Sequence, residues 1–258
     1  MKKLGLALIA ALAFIAAFLM ASPALCSSPT DRMIPDEVLK LSAAFKEEVD
    51  TNAISDSYRK TVESEIFRIM NGARAFSKQQ YLVFVDRNPA VQTGSIVYLD
   101  PETKHIIIVG VFYVSTGNPY RRGHFETPLG IFKNSPENMS YRALGTKGSN
   151  GWRGLGKKGS RVWDFGWQET KLLTGSPYKI RLLIHATDPN LGEPRLGKAD
   201  SKGCVRVPAK VNAFLDHYGI LDASYENGSS RARAVLPKNG LSSQFAGQYL
   251  IVSDSRNL

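Results

Sequence analysis

Residues 179–185 read Lys179-Ile180-Arg181-Leu182-Leu183-Ile184-His185, and residues 201–207 read Ser201-Lys202-Gly203-Cys204-Val205-Arg206-Val207. The first stretch alternates, so Ile180, Leu182 and Ile184 share one face of a strand and Arg181, Leu183 and His185 the other. His185 then stands at a strand end, before the turn-forming Asp188, Pro189 and Asn190. In the second stretch a thiol follows a glycine. A thiol is a good nucleophile when a neighbouring base or cation favours its thiolate, and a histidine within hydrogen-bond reach also serves the later protonation of a leaving amine. Gly203 lets backbone N–H groups come close to a developing oxyanion. On spacing alone a Cys and a His prove little, and a buried structural thiol with an unrelated surface histidine is the plainer reading.

Outward from this pair the texture is that of strands, expected over 81–86, 95–99, 105–115, 130–132, 161–165, 179–185, 204–207 and 248–252. One helix interrupts them over 208–218. Pro208 stands in its first turn, Val211, Phe214, Leu215 and Tyr218 line one face, and Gly219 follows its end. Between Pro35 and Arg74 the period changes. Val38, Leu41, Phe45 and Val49, then Val62, Ile66, Ile69 and Met70, recur at helical steps and predict two amphipathic helices. The organisation expected is a helical extension over 27–78, a mainly β catalytic region over 79–254 and a tail over 255–258.

Residues 1–26 have the layout of a secretory signal: Lys2 and Lys3, an apolar run from Leu4 to Met20, then Ala21, Ser22, Pro23 and Ala24. Cleavage after Ala24 or after Cys26 fits, as does a single short membrane anchor. Each outcome exports the rest of the chain to the periplasm or cell envelope. In an oxidising compartment a lone thiol needs a reason, and of the 2 cysteines only Cys204 is certain to survive in the mature chain.

Composition narrows the classes further. With 258 residues, 43% hydrophobic and 22% charged, the chain is neither a disordered tail, a collagen-like repeat nor a multi-span membrane protein. Its formal charge is +10, and residues 117–206, with 16 basic and 7 acidic groups, hold +9 of it. For an exported chain this favours anionic lipid or a carboxylate-rich wall polymer over nucleic acid, although a solvated basic face also fits. Within 134–177 the seven glycines from Gly145 to Gly166 predict a mobile loop. A phosphate-cradling loop at Gly151–Gly156–Lys157 fails because Lys158 stands where a hydroxyl is needed. Trp152, Trp163 and Trp167 either pack as a mini-core or wall a substrate groove, Trp163 being taken as a groove residue.

Three stretches in this order resemble the L,D-transpeptidase catalytic domain family. They are Val114-Ser115-Thr116-Gly117, Thr127-Pro128-Leu129-Gly130-Ile131-Phe132, and His185-Ala186-Thr187 followed by Ser201-x-Gly203-Cys204-Val205-Arg206. The resemblance covers roughly 79–254. It implies a mainly β sandwich or barrel and a cysteine enzyme acting on bacterial peptidoglycan stem peptides, with no cofactor and no metal. Cys204 would attack the third residue of a tetrapeptide stem and hold it as a thioester. His185, oriented by the carbonyl of Ala186, would be base and then acid, and the N–H groups of Gly203 and Cys204 would hold the oxyanion. A diamino-acid amine of a second stem would complete a 3–3 crosslink. Water in its place would make the enzyme an L,D-carboxypeptidase, and a lipoprotein acceptor an attaching transferase. A non-catalytic cationic wall-binding protein is the reading from another class.

One residue departs from the family pattern: Lys202 stands where a histidine is usual. A charged lysine cannot accept a hydrogen bond, but a cation beside Cys204 is expected to lower the thiol pKa. Arg206, on the nucleophile's strand face, is expected either to hold a stem carboxylate or to pair with an internal acid. Ser201, Lys202, Thr187 and His124 are the remaining substrate-groove candidates, while Tyr113 and Ser115 fit the groove or ordinary packing.

Overall fold

The apolar run at 81–85 is buried on both faces, and each face meets a different partner. The computed structural model describes residues 34–49, 52, 54–72 and 76–257; the expected signal segment and Arg74 lie outside these. Two helices, α1 (Asp36–Glu48) and α2 (Asp56–Gly72), lead into β1 (Gln80–Asp86), β2 (Thr93–Asp100) and β3 (His105–Tyr113). Then come β4 (Gly130–Lys133), β5 (Tyr141–Arg142), β6 (Arg161–Lys171) and β7 (Pro177–Ala186). The chain continues through β8 (Val205–Val207), α3 (Ala209–His217), α4 (Ala223–Glu226), α5 (Ser230–Arg233) and β9 (Tyr249–Ser253).

Among the described residues the strands form a five-stranded sheet ordered β3-β2-β1-β9-β4 and a four-stranded sheet ordered β5-β6-β7-β8. Both are mixed, because β9 runs parallel to β1 and β8 parallel to β7 while the other pairs are antiparallel. The fold is therefore mainly β, as expected. Between the sheets lies one core. Tyr81, Val83 and Val85 from β1 join Trp163 and Phe165 from β6, Leu182 and Ile184 from β7, and Val205 and Val207 from β8. The opposite face of β1, Leu82 and Phe84, packs under Val62 and Ile66 of α2. A strand covered on both sides reads as an unbroken apolar run.

Helix α1 belongs to the central core. Its Val38, Leu41 and Phe45 are buried there, and Phe45 meets Phe214 of α3 edge to face at 5.0 Å. Gly110 makes room for that ring, since a Cβ at this position would sit 2.1 Å from Phe45 Cδ1. Pro208 is the N-cap of α3, one step before the expected first turn, and Gly219 follows its end at φ +58°.

Two expectations change in the region 134–177. Strand β6 continues past Phe165 to Lys171, with a register shift between Asp164 and Trp167 and Gly166 at φ +78°. The polar residues beyond Phe165 stay extended because they pair with β7, Gln168 opposite Ile180 and Thr170 opposite Tyr178. Residues 143–160 contain no helix or strand, yet they are tied down. Ala143 exchanges backbone hydrogen bonds with Ser160 (2.8 Å) and Gly159 (2.8 Å), and the Arg153 N–H donates to Asp188 at 3.0 Å. No described helix is long and apolar enough to cross a membrane.

Candidate active site

The parallel pairing of β7 with β8 sets Ile184 opposite Val205, His185 opposite Arg206 and Ala186 opposite Val207. Residues opposed in register share a face, and side chains alternate. Ile184 and Val205 therefore enter the core, while Arg181, Leu183 and His185 share the other face with Arg206 and Cys204. Cys204 and His185 open into one cavity of about 470 Å³, which Ser201, Lys202, His124 and Arg206 also line.

His185 is buried, and its Nδ1 lies 2.7 Å from the Ala186 carbonyl oxygen. A carbonyl only accepts, so Nδ1 carries the proton and Nε2 holds the lone pair. Burial pushes the imidazole pKa down to about 4, with Arg206 acting in the same direction and the Ala186 bond opposing. The Cys204 thiol donates to the Arg181 carbonyl at 3.6 Å. Burial raises its pKa to about 11, although the Leu183 backbone and the Arg206 charge pull the other way. Both shifts favour the neutral form, of the thiol and of the imidazole alike. Of the cations lining the cavity it is Arg206 that pulls the thiol pKa down, and burial outweighs it. Lys202 acts instead on His124, whose pKa is lowered by burial and by Arg121, Lys202 and Arg206.

The loop before β8 is braced from within. Ser201 Oγ donates to the Cys204 carbonyl at 2.6 Å and accepts from the Gly203 N–H at 3.0 Å, and His124 Nδ1 donates to the Ser201 carbonyl at 2.9 Å. The Gly203 N–H, expected at the oxyanion, is thus spent on Ser201. What Gly203 supplies is conformation: its φ is +127°, and a Cβ would lie 2.5 Å from Ile180 Cδ1.

Two expected groove residues lie elsewhere. Trp163 is fully buried between the sheets, because the alternation of β6 turns it inward. Thr187 is also fully buried; a Cβ on Gly192 would lie 1.9 Å from its Oγ1, so it packs inside the 187–192 turn. Of the tryptophans it is Trp152 that lines the cavity. Tyr113 is half exposed and packs near Gly197, while buried Ser115 accepts from the Asp200 N–H at 3.2 Å.

Several site residues were missed from the sequence. Thr127 is fully buried and accepts from the Gly117 N–H at 2.9 Å while donating to the Gly203 carbonyl at 2.8 Å. Its place in the Thr127-Pro128 stretch was the available signal. Gly117 passes so close to this loop that a Cβ there would meet the Phe125 oxygen at 1.9 Å. Asp200, Arg121 and Arg195 also line the cavity; these ordinary polar types carry no local signature. Among the described residues no group of three or more His, Cys, Asp or Glu side chains could hold a metal ion.

A thiol and a neutral imidazole on one strand face, opening into one cavity, suit nucleophilic catalysis by cysteine. The model of the YkuD L,D-transpeptidase catalytic domain matches residues 79–220, and the chain belongs to that family, whose members act on peptidoglycan peptides. A search of curated proteins gives no match to the chain.

Proposed function

We propose that this protein is an exported L,D-transpeptidase in which Cys204 carries the acyl group of a peptidoglycan stem. The observation that carries the reading is the β7–β8 register, which sets Cys204 and His185 on one face and in one cavity. As the sulfur attacks the carbonyl of the third residue of a tetrapeptide, His185 Nε2 takes the thiol proton. The S–C bond forms, and the tetrahedral oxyanion faces the Cys204 N–H. When the C–N bond to the terminal D-alanine breaks, the imidazolium returns the proton to the leaving amine, and a thioester remains. An amine of a second stem then attacks, His185 accepts its proton, and the thiol is regenerated with a 3–3 crosslink made. Water on the same path gives a tripeptide.

Burial favours the neutral thiol and the neutral imidazole, so the proton moves from sulfur to Nε2 only as the S–C bond forms. Ala186 holds the imidazole in the tautomer this chemistry uses, through the 2.7 Å bond. Incubation with a carbapenem followed by intact-mass measurement tests the reading. A covalent adduct on the native chain that is absent from Cys204→Ala supports it. Unmodified native protein that still binds sacculi contradicts it and favours a wall-binding role. Chromatography of products from tetrapeptide muropeptides separates crosslinked dimers from tripeptides.

A further inference from the structure

Three guanidinium groups converge on one carboxylate at the rim of the cavity. Arg121 is paired with Asp200, while Arg195 Nη1 lies 3.3 Å and Arg206 Nη1 3.4 Å from Asp200 Oδ2. Arg195 and Arg206 also stand over the ring of Trp152, at 5.5 and 5.3 Å from its centroid. An arginine keeps its charge in proteins, so one aspartate leaves two of the three uncompensated. Lys202 lines the same cavity and adds a further cation. The indole face holds the two guanidinium planes in place and takes over part of their solvation.

The two longer contacts to Asp200 exceed the usual 2.7–3.2 Å of an N–H···O bond. Each of these arginines thus keeps donors for a second, better-placed acceptor. A planar carboxylate suits that fork and offsets the surplus charge. A carboxamide is neutral and presents an NH₂ donor to a wall made of donors.

We propose that Asp200, Arg121, Arg195, Arg206 and Trp152 form a subsite for a free carboxylate of the donor peptide, and that this wall selects acidic stems over amidated ones. The proposal rests on the acyl-transfer reading only for where the bound peptide goes next. The carboxylates proposed to fill the subsite are the two nearest the scissile bond, that of the terminal residue and that on the side chain of the third residue.

Calorimetry on Cys204→Ala tests it with three synthetic tetrapeptides: one unmodified, one with the third-residue carboxylate converted to carboxamide, and one with a terminal carboxamide. One of the two amides is expected to bind at least tenfold more weakly than the unmodified peptide, and which one it is identifies the carboxylate that is held. In Arg195→Gln and Arg206→Gln the preference shrinks to less than threefold, chiefly through weaker binding of the unmodified peptide. Equal affinity for all three peptides overturns the proposal without use of any arginine variant. Equal weakening of all three by the arginine substitutions overturns it too, since this marks a structural role. D-Alanine release from the same peptides by the native protein is read in parallel. Charge-selective binding without any release leaves the subsite standing and sinks the acyl-transfer reading.

Discussion

His185 stands opposite Arg206 in the parallel pairing of β7 and β8, and Cys204 lies two residues before Arg206 on the same strand face. A slip of one residue would turn the thiol into the core and Val205 into the cavity. The register is held from outside the sheet as well. Ser115 exchanges backbone hydrogen bonds with Arg206 at 3.0 Å in each direction, and Gly117 bridges to Ser201. The Ser-Thr-Gly stretch therefore braces the Cys204–Arg206 segment from a side other than β7.

A neutral thiol is a measurable property. Alkylation of Cys204 by iodoacetamide is expected to be slow at neutral pH and to keep rising with pH until near 11. A plateau already reached at neutral pH would mean a preformed thiolate–imidazolium pair instead.

The buried neutral imidazole links protonation to folding. Its folded pKa, about 4, lies below the ordinary value of 6.5. The stability it contributes is therefore complete above pH 6.5 and is lost as pH falls through 4. Urea unfolding across that window should show a decline about 3 kcal/mol smaller in His185→Gln than in the native chain. The acid limb of turnover should fall near pH 4; a limb near 6.5 would contradict the assigned shift.

Gly203→Ala tests the shape of the loop that carries Cys204. A side chain at φ +127° is strained, and its Cβ would press on Ile180 at 2.5 Å. D-Alanine release should fall by roughly 100-fold, since displacing a reacting atom by about 1 Å has that effect, while circular dichroism still shows a folded protein. Unchanged turnover would remove the loop geometry from the account.

Thr127→Val keeps the volume and removes both hydrogen bonds that join Gly117 to the Gly203 carbonyl. Leaving those buried groups without partners should destabilise the fold by about 3 kcal/mol and reduce kcat more than it raises KM. A loss of stability with kcat intact would make Thr127 purely structural.

Helix α1 offers a test of the fold. Phe45 lies in the core between the sheets and against Phe214, so Phe45→Ala should cost about 4 kcal/mol of unfolding free energy. A change below 1 kcal/mol would mean that the helix is peripheral.

How far these features could be read beforehand depends on how local their cause is. The alternation in β7, the two-faced apolar run of β1 and the Pro-to-Gly frame of α3 are local, and each was readable. The second half of β6 was not, because Gln168, Glu169 and Thr170 are extended only through pairing with β7. Trp152 and Trp163 are chemically identical, and the sheet alone decides which is core and which lines the cavity. Cys204 and His185 were readable through their motif. The distant Arg121, Trp152 and Arg195 were not, since the two arginines meet at Asp200, and Arg195 comes to stand over Trp152, only once the chain has folded.

The most direct test is to quench the native protein in acid during turnover of a tetrapeptide, digest it and weigh its peptides. The fragment carrying Cys204 should gain the mass of the tripeptide acyl group, and neutral hydroxylamine should remove this mass. Turnover that continues in Cys204→Ala, or an acyl group found on any other residue, would contradict it.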